Sequence, residues 1–234
     1  MKRITNICIL CTLFLLTITS CTDKYSISGS ALQTLYSAKV AYLRSPDGDK
    51  ATVDSCEIVH GNFKMNGPLD SVQCVNLILG DVITPVVLEQ GNIKVSMANA
   101  MIKVEGTPLN DRLFSFLVSR DSLTMMLMEI PNKDAHMRLE GYSEYDIATQ
   151  LGDEEASLRS QMENLETAFV VDNFDNVLGI TWFLNMCYEE SNRYGYPTTS
   201  PKIEELFSRA PEDFRNNPKV VEFMNMVNGQ GEEK

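Results

Sequence analysis

Three cysteines after the N-terminal region are the first candidates for chemistry, because a thiol can form a disulfide or act as a nucleophile. Cys56 and Cys74 lie on neighbouring predicted strands, and a disulfide between them would close a loop of ~18 residues and contribute roughly 3 kcal/mol. The alternative is that both are free thiols that pack as small hydrophobic groups. Cys187 lies in an apolar helical segment in line with Ile180 and Leu184, which predicts a packing role. The sequence leaves the bridge and the free thiols open, because strand register decides whether two cysteines meet.

The histidines and carboxylates show no spacing typical of a metal site or a hydrolase. His60 lies in a predicted hairpin turn and His136 in a predicted connection, whereas a zinc site needs several nitrogen or sulfur ligands at fixed spacing. The sequence contains no Gly-x-Ser-x-Gly elbow, no P-loop and no Gly-x-Gly-x-x-Gly. We therefore predict no metal, no cofactor and no catalytic residue. A hydrolase site hidden among the 32 acidic residues stays an alternative.

Three tyrosines near the end of the apolar helical segment form a candidate binding surface. Tyr188, Tyr194 and Tyr196 belong to the stretch "YEESNRYGYP". Tyrosines on a loop supply large, amphipathic contact area at low entropic cost. The alternative is that this loop packs against its own helices.

The N-terminus has the features of an export signal that ends at a modified cysteine. Lys2 and Arg3 precede an apolar run over 4–18 that is short for a membrane span. The sequence Ile18-Thr19-Ser20-Cys21 resembles the lipobox of bacterial lipoproteins, in which the signal is cut before a cysteine that receives lipid. The resemblance implies that residues 1–20 are a lipoprotein signal peptide and that Cys21 is the attachment site. We expect a cell-envelope protein held to the membrane by this lipid, facing the periplasm or exposed at the surface.

The charge of the chain bears on its partners. The formal net charge is −12, so the chain repels phosphate backbones and lacks the basic surface that nucleic-acid binding requires. We therefore expect no nucleic acid among its partners, and the remaining candidates are the membrane through the lipid, an envelope protein or a small ligand.

The first part of the mature chain has the pattern of an antiparallel β structure. Short segments with apolar and β-branched residues recur at intervals of ~8–12 residues and are punctuated by Gly, Asn and Pro, which favours a sandwich or a barrel. Pro85 fits an edge strand or a bulge better than a central strand. The segments are "KYSISGS", "AKVAYLRS", "ATVDSCEIV", "FKMNGP", "SVQCVNLIL", "VITPVVLEQG", "NIKVSMA" and "MIKVEG".

After Gly106 the apolar residues adopt a helical period. Thr107-Pro108 predicts an N-cap followed by proline at the first helical position. Arg120 interrupts the apolar face of this first helix, and residues 131–152 are predicted to be a mobile connection. Acidic residues at 153–155 predict the start of the next helix. The apolar faces of the two helices are Leu113, Phe116, Leu117, Leu123, Leu127 and Ile130, and then Leu158, Met162, Leu165 and Phe169.

Nearly the whole mature chain resembles one group of envelope lipoproteins. The stretches "YSISGS", "VDSCEIVHGNFKMNG", "VVLEQGNIKV", "VEGTPLND" and "FVVDNFDNVLGITWFL" are similar to an N-terminal domain of unknown function in lipoproteins of Gram-negative anaerobes. In many relatives this region leads into a thioredoxin-like domain of the TlpA/ResA type, which has a Cys-x-x-Cys pair. No such pair follows the signal here, so the family's redox chemistry is carried onto no residue. The markers are Asp54, Gly61, Phe63, Gly67, Glu89, Gly91, Gly106, Thr107 and Asn110.

The sequence therefore predicts an α+β protein, with an antiparallel β-sandwich-like module over 21–106 followed by an all-helical module over 107–234. We expect a lipid-anchored cell-envelope protein that acts as a non-catalytic binding or interaction module. One alternative is an accessory subunit of a separate thioredoxin-like thiol-disulfide oxidoreductase. The other is a hydrolase with an unrecognised site, which predicts a deep polar pocket with perturbed acids.

Overall fold

The computed structural model describes residues 23–31, 39–46, 52–98 and 101–229. The predicted signal peptide over 1–20 and the predicted lipid attachment site Cys21 lie outside the described residues. Within them, none of the helices combines the length and the apolar character needed to cross a membrane.

The β module consists of two four-stranded sheets. The first sheet has the order β4-β1-β7-β8 and the second the order β3-β2-β5-β6. Alternate side chains of the strands face inward, and Ile27, Leu43, Leu77 and Ile93 are fully buried in the core between the sheets. The strands are β1 (Lys24–Ser30), β2 (Val40–Arg44), β3 (Thr52–Glu57), β4 (Asn62–Pro68), β5 (Gln73–Leu79), β6 (Val82–Leu88), β7 (Gly91–Ala98) and β8 (Met101–Glu105).

One strand pair departs from the predicted antiparallel arrangement. β1 and β7 pair in parallel, with Tyr25 opposite Gly91, whereas every other pair within the two sheets is antiparallel. A parallel pair needs a long connection that returns the chain to the same end of the sheet, and a helix usually supplies it. Here the described strands β2 to β6 lie within that connection. The α+β class and the two-sheet β module are confirmed.

The two sides of the sandwich close differently. On one side, β3 and β4 are joined through a turn in which His60 and Gly61 have positive φ values of 51° and 77°. On the other side, β6 and β8 are both edge strands of their sheets. Pro85 lies in β6, which confirms its predicted place in an edge strand, because proline cannot donate a backbone hydrogen bond.

The described residues form six helices after the last strand. The first helix begins at Pro108 with Thr107 at its N-cap, as predicted, and β8 ends at Glu105. The first two helices are long, antiparallel neighbours, and together we call them the hairpin arm. The helices are α1 (Pro108–Leu139), α2 (Glu144–Val171), α3 (Val177–Tyr194), α4 (Pro201–Arg209), α5 (Glu212–Arg215) and α6 (Pro218–Gly229).

The predicted connection over 131–152 is wrong. α1 continues through Pro131 to Leu139, and α2 begins at Glu144 after the N-cap Ser143, whose hydroxyl accepts a hydrogen bond from the Asp146 amide at 3.1 Å. The half-buried and buried residues of the arm keep the spacing of three and four that a helix–helix seam requires, and this packing outweighs the local cost of a proline. The acidic residues at 153–155 therefore lie inside α2 and not at its start.

The helices share a second core with the β module. The fully buried Val87 of β6 and the partly buried Cys74 of β5 belong to the same apolar cluster as Phe183 and Cys187 of α3. α3 is the helix with the most buried residues of the six, as its nearly continuous apolar sequence predicts. The two modules therefore pack directly against each other.

Candidate functional site

An apolar groove lies along the open side of the sandwich, beside the first half of α1. Its walls are residues 82–85 of β6, Ile102 and Val104 of β8, and one face of α1 from Asn110 to Met125. The groove has a volume of about 590 Å³. It therefore brings β6 together with β8 and α1, which come later in the chain, and we call it the edge groove.

Several apolar side chains of the edge groove are strongly exposed. Met125 is 71%, Ile83 62% and Val118 46% exposed. Asp121 is the only charged side chain among the described residues that line the groove. An apolar lining with few polar groups is typical of a binding site for an apolar or amphipathic partner.

The start of α1 is held at the end of β6 by the carboxylate of Glu89. Glu89 is 8% exposed, and its Oε1 accepts hydrogen bonds from the backbone amides of Leu109 at 2.8 Å and Asn110 at 3.1 Å. The N-cap residue Thr107 makes no side-chain capping bond within the described part of α1. Glu89 therefore caps the helix from another element, with a negative charge that the helix dipole favours.

Asn110 fixes the same helix to the backbone of β6. Its Oδ1 accepts a hydrogen bond from the Val87 amide at 2.9 Å, and its Nδ2 donates to the Val87 carbonyl at 2.7 Å and to Thr107 Oγ1 at 2.8 Å. Asn110 is 1% exposed, so these bonds form away from water. The asparagine amide therefore takes the place of a neighbouring strand at Val87 and sets where α1 crosses the sheet edge.

Arg120 ties α1 to the two helices that follow. Its Nε donates to Glu166 Oε1 at 2.8 Å, its Nη2 lies 3.3 Å from Glu189 Oε1, and its guanidinium lies 5.2 Å from the ring centroid of Trp182. Burial raises the pKa of the Glu166 carboxyl, and Arg120 opposes this shift only in part. A cation at a seam position of an otherwise apolar helix face is the sequence signal for such a pair.

A second, more polar pocket of about 480 Å³ lies near the tip of the hairpin arm. Lys133 of α1 and Glu154 of α2 form an ion pair in its wall, and His136 lines it nearby. His136 therefore belongs to α1 and not to a connection, whereas His60 lies in the predicted turn. In the described part of the chain, no group of three or more His, Cys, Asp or Glu side chains is arranged to hold a metal ion.

The structure does not pair Cys56 with Cys74, so of the two alternatives left open by the sequence the free thiols hold and the possible disulfide does not. Both are free thiols, as is Cys187. Cys56 of β3 and Cys74 of β5 flank β2, and the register separates them by roughly 10 Å across the sheet and roughly 16 Å along it. A disulfide needs Cα atoms within ~7 Å of each other. Burial raises the pKa of the Cys187 thiol to about 12, in line with its predicted packing role.

The three tyrosines of the candidate binding surface do not share one face. Tyr188 lies on α3 and packs edge-on against Phe223 of α6, with 5.2 Å between the ring centroids. Tyr194 and Tyr196 lie together, 6.3 Å apart, at the C-terminal end of α3. Tyr188 and Tyr194 are six residues apart, which places them roughly 120° apart around the helix. The structure therefore brings Tyr194 and Tyr196 together and separates Tyr188 from them.

Several residues that carry the sequence resemblance have packing roles. The Tyr25 hydroxyl donates to Asp54 Oδ2 at 2.7 Å, and burial raises the pKa of the Tyr25 hydroxyl. The Tyr25 ring covers Gly67, where an added Cβ would lie 2.6 Å from the hydroxyl oxygen. Glu89, Thr107 and Asn110 form the junction between β6 and α1. These markers therefore specify the sandwich and the position of α1 beside the edge groove.

The comparisons with known proteins agree with this division. Residues 25–113 match the family model described as a domain of unknown function (DUF4369). The matched segment runs from β1 to the second turn of α1, so it includes the junction made by Glu89 and Asn110. Neither the curated proteins nor the solved structures contain a match to the chain. The match therefore covers the β module and the first two turns of α1.

Proposed function

We propose that the protein is a lipid-anchored cell-envelope protein that acts as an interaction module and binds a partner through the edge groove. The observation that carries this proposal is the exposed apolar lining of the groove, with Met125, Ile83 and Val118 presented to solvent by two rigid elements. The proposal gives the chain no catalytic step. The hydrolase alternative needs perturbed acids in a deep polar pocket, whereas Glu166, whose carboxyl pKa is raised, lies outside both pockets.

The position of β1, which follows the predicted anchor, supports an interaction site held away from the membrane. Asp23 accepts a backbone hydrogen bond from Leu69 at 2.8 Å, and Tyr25 lies opposite Gly91, next to the end where α1 begins. α1 starts beside Val87 and reaches the groove wall at 82–85 with Met125, so it runs back along β6 and then beyond it. A helix of 32 residues is roughly 48 Å long. An anchor at Cys21 would therefore leave the hairpin arm pointing away from the membrane.

The first prediction concerns the anchor. We expect the natural protein to carry lipid on Cys21 and to lack residues 1–20, and we expect Cys21→Ser to abolish incorporation of labelled palmitate. Because several acyl chains bind a membrane firmly, the same variant should leave the membrane fraction. Intact-mass spectrometry of the natural protein measures the modification.

The matched controls are Cys8→Ser and Cys11→Ser, which make the same substitution inside the predicted signal. Both variants should still incorporate palmitate. An unmodified Cys21, or a natural protein that keeps its first 20 residues, would contradict the anchoring proposal.

The second prediction concerns the groove. We expect a photoreactive amino acid at Ile83 or Met125, in the full chain made in its own cells, to form one discrete adduct with another envelope protein. Val53 on β3 is the control position, because it is 41% exposed but lies on the opposite edge of its sheet. Val118→Asp should reduce the adduct because it places a charge in the apolar lining. Gel electrophoresis and mass spectrometry of the adduct give the readout.

The absence of an adduct at both groove positions, or the same adducts at Val53, would contradict the proposed interaction role. An adduct with a thioredoxin-like oxidoreductase would favour the accessory-subunit alternative.

A further inference from the structure

We propose that the edge groove accepts an amphipathic α-helical segment of a partner protein, with its apolar side in the groove and Lys or Arg along its flanks. This inference rests on the proposed function and names the kind of partner that the groove fits. Shape, the hydrogen-bonding state of the sheet edge and charge each support it.

The dimensions and lining of the groove suit a helix of about three turns. The α1 wall from Leu113 to Met125 is roughly 18 Å long. Apolar side chains at i, i+3 or i+4, and i+7 of a helical ligand span about 10 Å and reach along most of this wall. Met125 has an unbranched, polarizable side chain that adapts to different apolar surfaces.

The sheet edge beside the groove is closed to an added strand. Peptide groups of alternate residues point to the same side of a strand, so those of Ile83, Pro85 and Val87 face the open edge of β6. Asn110 already occupies both the amide and the carbonyl of Val87, and Pro85 has no N–H to donate. Of these three residues, only Ile83 still presents both its N–H and its C=O to an added strand. One residue is too little to hold an extended segment by backbone hydrogen bonds. A helix satisfies its own backbone and needs no such edge.

The charges around the groove favour a cationic partner. Asp121 is the charged side chain of the lining, and Asp81 lies in the turn just before β6. Four of the five Arg and Lys side chains of the hairpin arm are paired with acids of the same chain: Arg120 with Glu166, Lys133 with Glu154, Arg138 with Asp134 and Arg159 with Glu155. The fifth, Arg112, donates to the amide oxygen of Asn173. The formal net charge of −12 adds a long-range attraction for cations. A basic flank on the ligand would therefore lie next to Asp121 and Asp81.

The test uses three synthetic peptides and a chain that begins at Thr22, which keeps every described residue. One peptide is an amphipathic helix of Leu and Lys, the second has the same composition without an apolar face, and the third replaces Lys by Glu. Fluorescence anisotropy measures binding of the labelled peptides. We expect the Leu/Lys helix to bind with a micromolar Kd and the other two to bind at least ~10-fold more weakly.

Met125→Asp and Met128→Asp form the matched pair of variants. Both methionines are exposed on α1, at 71% and 72%, but only Met125 lines the groove. Either variant adds one negative charge, which by itself strengthens attraction to a cationic peptide. We expect Met125→Asp to weaken binding of the Leu/Lys helix ~10-fold and Met128→Asp to leave it unchanged or slightly stronger.

Equal binding of the two Lys peptides would overturn the proposal, because it would show attraction by charge alone. Equal effects of the two methionine variants would overturn it as well. Failure of the Leu/Lys helix to bind, together with a discrete adduct at Ile83, would remove the helical ligand and leave the proposed interaction role standing. Failure of both experiments would remove both.

Discussion

We expect Gly179→Ala to destabilise the protein by about 2–3 kcal/mol, although alanine is the better helix former. Gly179 is buried in the first turn of α3. A Cβ at this position would lie 2.2 Å from the carbonyl oxygen of Asn173 and 2.6 Å from its carbonyl carbon. Both are backbone atoms, so the clash cannot be relieved by a rotamer change.

The backbone that would have to move is firmly held. Asn173 is fully buried, its Oδ1 accepts from Arg112 Nη1 at 2.7 Å, and its Nδ2 donates to the Phe169 carbonyl at 2.7 Å. Moving this segment would therefore disturb the contact between α1 and the end of α2 as well as the entry into α3. The urea midpoint, with the slope unchanged, measures the loss in the free energy of unfolding.

Gly152→Ala is the matched control, because it makes the same substitution in the interior of α2. Gly152 is exposed, and no described atom lies within 4 Å of its added Cβ. We expect Gly152→Ala to raise the free energy of unfolding by about 0.5–1 kcal/mol, since only helix propensity and unfolded-state entropy change. The two variants should therefore shift the urea midpoint in opposite directions. A stabilising effect of both would contradict the close approach of Gly179 to Asn173.

Features that depend on neighbouring residues could be predicted from the sequence. Thr107-Pro108 placed the start of α1 because proline at the first helical position costs no hydrogen bond. Pro85 indicated an edge strand for the same chemical reason. The apolar spacing from Leu113 to Ile130 gave the buried side of α1. In each case the physical cause lies within a few residues of the feature.

Features that depend on distant segments could not be predicted. The helix cap of α1 comes from Glu89, twenty residues before Leu109, so a local capping pattern does not contain it. A connection was predicted from residue 131 onward, but packing of α1 on α2 carries the helix eight residues further. Cys56 and Cys74 are separated because β2 lies between their strands and because the register offsets them along the sheet. No local sequence pattern contains either the strand order or the register.

The candidate site belongs to the second group. Its walls come from β6, β8 and α1, and no one of these segments has a pattern that indicates binding. Exposed Ile83 and Met125 are unremarkable singly, because isolated apolar residues are common on protein surfaces. They become a candidate site only because Glu89 and Asn110 place α1 across the open side of the sandwich.

Asn110→Ala should lower the free energy of unfolding by about 3–5 kcal/mol. The substitution leaves the amide and the carbonyl of Val87 without partners in a buried site, and each unsatisfied group costs about 1–3 kcal/mol. The asparagine also donates to Thr107 Oγ1, so the connection between β8 and α1 loses a bond as well. Denaturant unfolding measures the loss. Asn132→Ala is the control in the same helix, because its exposed amide donates only to Glu129 among the described residues, and it should change stability by less than about 0.5 kcal/mol.

Asn110→Asp tests whether the hydrogen bonds of this residue or its shape alone position α1. The aspartate is nearly isosteric with asparagine and still accepts a hydrogen bond from the Val87 amide, but it cannot donate to the Val87 carbonyl. It also brings a second carboxylate close to Glu89, because Glu89 Oε1 lies 3.3 Å from Asn110 Nδ2. We expect it to be at least as destabilising as Asn110→Ala at neutral pH and to recover in part as acidification protonates a carboxyl and restores a donor. If Asn110→Asp had the wild-type free energy of unfolding at neutral pH, the shape of the residue alone would position α1. The edge groove would then not depend on the amide pair, and its position beside β6 would need another cause.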